Sequence, residues 1–171
     1  MKIINTFVPG LTTFKFQAKD ELARNLDLWT DEKYLFTYFE KNKSKLEYFK
    51  VKTVKEAVAK NIQQTRLIQE KLYEYLIDKT KNLDDLFLNL NDNEYHETIL
   101  SKQKSKQFWL RLYAIKIESN HYVITGGAIK LDHKMKLGEL TLTERQTIEN
   151  CRNYLLENGV YDADSFYELI L

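Results

Sequence analysis

Cysteine occurs once, as Cys151, so the chain closes no internal disulfide. A lone thiol fits a reducing compartment. Proline also occurs once, as Pro9, and with Gly10 it marks a turn near the start. No low-complexity linker and no internal repeat divides the chain, so residues 1–171 read as one domain. There are three histidines, His96, His121 and His133, and none has metal-ligand spacing. H-E-x-x-H is absent and one cysteine builds no zinc cluster, so neither a metal nor a cofactor is expected. No Gly-rich dinucleotide fingerprint and no Ser-His-Asp pattern is readable. No apolar run is long enough to cross a bilayer, and MKIINTFVPG lacks the sustained apolar region of a signal peptide. The expectation is a cytoplasmic protein with no membrane contact. Formal net charge is only +1, so no global field attracts nucleic acid, and any such contact must come from a local patch.

Apolar side chains are plentiful. Hydrophobic residues make up 43% and aromatic residues 13%, enough for a core and too much for a disordered chain. Residues 2–8 and 11–17 read as strands joined at Pro9-Gly10. Residues 19–28 and 31–49 read as helices, with KNKSK at 41–45 as a solvated break. Thr53 and Glu56 form a capping box that opens a long helix to about Lys79. Its stripe of Val54, Val58, Ile62, Thr65, Ile68, Leu72 and Leu76 keeps i+3 and i+4 steps. Such a stripe meets either a core or a partner helix, so homo-oligomer formation through 54–79 stays open. A short helix is expected at 82–90 and a polar surface loop at 89–107. Thr143 and Gln146 suggest a second capping box, with a helix running to Gly159 and Cys151 buried on its apolar stripe. The order of elements predicts an α+β fold: an antiparallel sheet with helices packed on one side.

Residues 101–136 organise the rest. An apolar run from Phe108 to Ile117, a break at Glu118-Ser119-Asn120, and a run from His121 to Leu131 predict a β-hairpin. One face of the first strand carries Trp109, Arg111, Tyr113, Ile115 and Ile117. The other carries Phe108, Leu110, Leu112, Ala114 and Lys116, and reads as the core face. Gly126-Gly127 in the second strand marks a bend over a helix, or backbone left open to a phosphate or partner strand.

Lysines sit at both ends of this stretch. Lys102, Lys104 and Lys106 precede the first strand, Arg111 lies within it, and Lys130, His133, Lys134 and Lys136 follow the second. An antiparallel hairpin brings these ends to one edge. Lysines with a histidine can hold a phosphodiester and move a proton. Trp109 and Tyr113, on the face of Arg111, would add stacking surface for bases.

Lysines, then WLRLYAIKI, a turn, YVITGGAIK, HKMK and a helix: over roughly residues 101–157 this order resembles the end of the RelE/ParE/HigB-like toxin superfamily. The resemblance implies a metal-independent mRNA endonuclease of a toxin-antitoxin module, acting on the ribosome and held by an antitoxin partner. On that basis Arg111 would bind the scissile phosphate, and Lys130, His133 and Lys134 would stabilise charge and transfer a proton. Lys104 and Lys106 would contact RNA. The chain departs from the family pattern in its near-neutral charge and in its helical segment from 19 to 90. The competing reading is a non-enzymatic interaction protein of a phage or mobile element, using its long helix and aromatic residues for a partner or for itself.

Overall fold

The first strand of the 101–136 hairpin is apolar on both faces, and both faces are covered. A computed structural model describes residues 1–90, 100–132 and 140–171. Strand β1 (Lys2–Asn5) turns through Pro9-Gly10 into β2 (Leu11–Lys15). Helices α1 (Glu21–Leu28), α2 (Glu32–Lys41) and α3 (Val54–Ile77) follow, with two 3-10 turns, 43–45 and 47–49, between the last two. Then come β3 (Leu88–Asn89), β4 (Lys102–Gln107), β5 (Leu110–Glu118) and β6 (His121–Ile129), and finally α4 (Leu142–Glu157) and α5 (Ala163–Ile170). The sheet order is β1-β2-β6-β5-β4-β3, antiparallel except where β2 runs parallel to β6. The fold is α+β, as the order of elements predicts.

Helices cover both sides of the sheet, not one. Leu110, Leu112 and Ala114 of β5 join a core with Leu22, Leu35, Phe39, Val58, Ile68 and Leu72 from α1, α2 and α3, and with Trp29 at the C-cap of α1. Ile115 joins Val123, Cys151, Leu155 and Phe166, and Tyr113 joins Ile148, so α4 and α5 close the opposite side. A strand apolar on both faces needs two covers, and one layer of helices supplies only one.

The helices begin where short polar side chains can accept the first free N–H groups. Asp20 accepts from Ala23, Asp31 from Tyr34, Thr53 from Glu56 and Asp162 from Ser165. The last long helix begins two residues earlier than Thr143 suggests, with Thr141 and Glu144 as the reciprocal capping box. Two other expectations change. Residues 82–90 form a 3-10 turn (83–85) and the short β3 rather than a helix, and 102–107 form strand β4 rather than a loop. The apolar stripe of α3 packs into the chain's own core: Val54, Val58, Thr65, Ile68 and Leu72 are buried there. Leu67, Tyr73 and Ile77 are its exposed apolar residues.

The glycine pair sits at a bulge in β6, where the register with β5 shifts between Tyr113 and Ala114. A methyl on Gly127 would lie 2.9 Å from the Arg111 carbonyl oxygen, 2.9 Å from the Trp29 ring and 3.0 Å from Asn25 Oδ1. The glycine admits α1 against the sheet, so the close approach is by the chain itself. Among the described residues no helix is long and apolar enough to cross a membrane.

Candidate nucleic-acid interface

The turn from β4 to β5 has two residues, Phe108 and Trp109, between the paired Gln107 and Leu110. Phe108 has a left-handed backbone, φ +56°. Two-residue hairpin loops with that conformation at their first position favour glycine, because a side chain there crowds the backbone. The turn is held instead by the residue that follows. Trp109 is 0% exposed, and its indole N–H donates to Asn61 Oδ1 at 2.8 Å. Asn61 in turn donates to the Trp29 carbonyl at 2.8 Å, tying α3, the end of α1 and the turn together. Phe39 and Phe49 pack their rings on Trp109 at 5.1 and 5.3 Å.

With Trp109 anchored inside, Phe108 points outward and is 40% exposed. Phe49 meets it edge-on at 5.4 Å, and the ammonium of Lys60 lies 5.2 Å from its ring centre. Tyr48, 60% exposed, packs edge-on against Phe49 at 5.1 Å. These contacts place the lysine-rich stretch 41–60 beside the turn. It carries seven lysines (41, 43, 45, 50, 52, 55 and 60) against Glu47 and Glu56. Among the described residues only Lys45 of the seven is in an ion pair, with Asp132 at 2.9 Å.

The sequence-predicted set divides here. Arg111 lies opposite Lys106 on β4 and Ala128 on β6, so Lys106 and Arg111 share a face at the turn end of the sheet. Arg111 Nη1 donates to the carbonyls of Phe108 and Leu110, at 2.7 and 2.9 Å. No carboxylate pairs with it among the described residues, and burial lowers its pKa. Lys130 comes to the same end, its N–H bonded to the Trp109 carbonyl at 2.7 Å. Its ammonium is spent on Glu144 at 2.8 Å and is 14% exposed. Lys102 pairs with Glu149 of α4, and Lys104 is buried at 5% exposure. Tyr113, 3% exposed, packs with Leu90 and Ile148, and burial raises its pKa.

Neither Trp109 nor Tyr113 therefore offers a ring to a base. Both are interior, because the turn reverses the chain at Trp109 and α4 covers Tyr113. His133, Lys134 and Lys136 lie outside the described residues. The sequence places Phe108 on the core face and reads KNKSK (41–45) as a solvated break, with most of the rest of 41–60 in helical segments, so the meeting of this stretch with the turn is not predicted. The lysine density was visible; its meeting with the turn is a product of tertiary packing. Among the described residues no group of histidine, cysteine and carboxylate side chains could hold a metal. Burial pushes the Cys151 thiol up to about 12, which suits a structural core thiol rather than a nucleophile. Compared with known proteins, the chain matches no family model, no curated protein and no solved structure.

Proposed function

We propose that this is a cytoplasmic, toxin-like RNA-binding protein whose contact surface is the end of the sheet around the β4–β5 turn. The observation that carries the reading is the meeting of two cationic stretches. Phe49 and Lys60 of the lysine-rich stretch 41–60 meet Phe108 at the end of the sheet where Lys106 and Arg111 pair, on a chain of net charge +1. A near-neutral protein with a locally cationic, aromatic end suits a polyanion that carries planar bases. Arg111 supports the reading further, since backbone carbonyls fix its guanidinium and no described carboxylate neutralises it. A fixed fork of donors without a carboxylate partner suits a phosphate.

Cleavage, the stronger form of the toxin-like reading, has less behind it. Of its four catalytic candidates, Arg111 has no carboxylate partner among the described residues, Lys130 is closed by Glu144, and His133 and Lys134 lie outside the described residues. Induced expression tests that form: growth arrest relieved by Arg111→Ala supports it, and tolerated expression removes it.

Binding itself is tested by titrating a labelled single-stranded RNA of about a dozen nucleotides, a length one small domain covers. Affinity is expected to fall as salt rises from about 50 to about 200 mM, with a log–log slope of roughly −2 to −3 for three to four neutralised phosphates. Arg111→Ala is expected to weaken binding and reduce the slope by about one phosphate's share. No binding at low salt overturns the reading and leaves a protein partner as the alternative.

A further inference from the structure

Phe108 occupies a position that the backbone would rather give to glycine. Its φ of +56° is costly for a bulky residue, and no local polar side chain of its own relieves it. The turn does not require the ring as an anchor, because Trp109 already fills that place at 0% exposure. A strained residue kept at an exposed tip points to use of its side chain. The residue is 40% exposed, with the Lys60 ammonium over its ring 5.2 Å from the centre, Phe49 edge-on to it and Trp109 tilted against it. Tyr48 continues the row on the other side of Phe49.

We propose that Phe108 is a stacking platform for an unpaired base, so that the RNA bound at this end is single-stranded. The inference rests on the RNA-binding reading above and adds the strandedness of the ligand. In a duplex the base faces are already stacked, so an outward ring finds nothing to cover. In a single strand every base has a free face to lay on the ring face opposite Lys60, and the Lys60 ammonium, over the other face, is placed to meet an adjoining phosphate. Charge complementarity selects nucleic acid over an apolar peptide, since lysines flank the rings in sequence (Lys50, Lys52) and in space (Lys60).

The experiment uses the full chain, a fluorescein-labelled oligouridine and the same strand annealed to its complement. Native protein is expected to prefer the single strand. Phe108→Leu keeps apolar bulk but removes the aromatic face, and is expected to lower single-strand affinity about tenfold while leaving duplex affinity unchanged. Phe108→Trp is expected to retain affinity, and its new emission is expected to be quenched by oligouridine. The two native tryptophans, Trp29 and Trp109, are buried, so that quenching reports on position 108. Equal affinity of native protein and Phe108→Leu, without quenching in Phe108→Trp, overturns the stacking role. If Lys60→Glu with Lys50→Glu then still abolishes binding, RNA binding stands and only the stacking inference is lost. Absence of any RNA binding by native protein overturns both.

Discussion

Strand β5 ends in two hairpin turns built on opposite plans. Its far turn, Glu118 to His121, is polar and tied by hydrogen bonds to Leu83 and Asp84. Asn120 takes the left-handed conformation, φ +63°, which asparagine tolerates. Its Oδ1 accepts from the Leu83 N–H at 2.7 Å. Asp84 then accepts from the Ser119 hydroxyl at 2.6 Å, the Asn120 N–H at 3.0 Å and the Tyr122 hydroxyl at 2.6 Å, with Lys116 at 3.6 Å. The near turn, Phe108-Trp109, has no such hub. It is pinned from below by one buried indole and leaves a strained aromatic residue outside. Where a turn has only to reverse the chain, the residues suit the backbone. At the near turn the backbone yields to the residue, which is the pattern of a surface kept for contact.

The largest break in this comparison comes from the near turn's anchor. Trp109→Ala removes a fully buried ring and leaves Asn61 Oδ1 without its donor, and about 3–5 kcal/mol of stability should be lost. Urea denaturation followed by circular dichroism measures it. A loss below about 1 kcal/mol would mean that the turn is not held by the indole.

The far turn breaks through its carboxylate. Partial burial pushes Asp84 up, but the bonds from Ser119, Tyr122 and Asn120, with Lys116 nearby, outweigh it and set the carboxyl at about 2. The unfolded chain therefore takes up this proton first as pH falls. The contribution is complete above about pH 4, shrinks as pH falls toward 2, and is gone below. Its size is about 1–2 kcal/mol after discounting for a side chain that is 30% exposed. Asp84→Asn should lower stability by that amount at pH 7, and the native and variant curves should converge near pH 2. Thermal melts across that range are the measurement, and curves that stay parallel would remove Asp84 as the hub.

The far turn was legible in the sequence and the near turn was not. Glu118-Ser119-Asn120 carries recognised turn chemistry, whereas Phe-Trp reads as the continuation of a strand. That error placed Trp109 on an open face, although the parity of Arg111, Tyr113 and Ile115 came out as the alternation predicts. Strand β4 was missed for a related reason. KQKSKQ has no apolar alternation, and its strand state comes from pairing with β5 and β3, not from propensity. Helix starts at Asp20, Asp31 and Thr53 were close to legible because capping is local. Asn61 shows the opposite case: it sits one residue before Ile62 of the α3 stripe, and only the buried indole gives it meaning. The basic end likewise depends on Phe49 meeting Phe108, a contact between residues 59 positions apart.

The smallest effect sharpens the comparison most, because it isolates the backbone. Both turns hold a left-handed residue, so alanine should be worse than glycine by about 1 kcal/mol at each position. At position 120 the native residue should beat glycine by about 1 kcal/mol, the value of the bond to Leu83. At position 108 the native ring adds packing against Phe49 and Trp109 that both variants lose equally, so it cancels between Phe108→Ala and Phe108→Gly. What remains is the conformational cost alone. Paired urea curves for the four variants give both differences. If alanine and glycine prove equal at 108 but not at 120, the near turn carries no strain in solution, and its backbone does not yield to the outward ring.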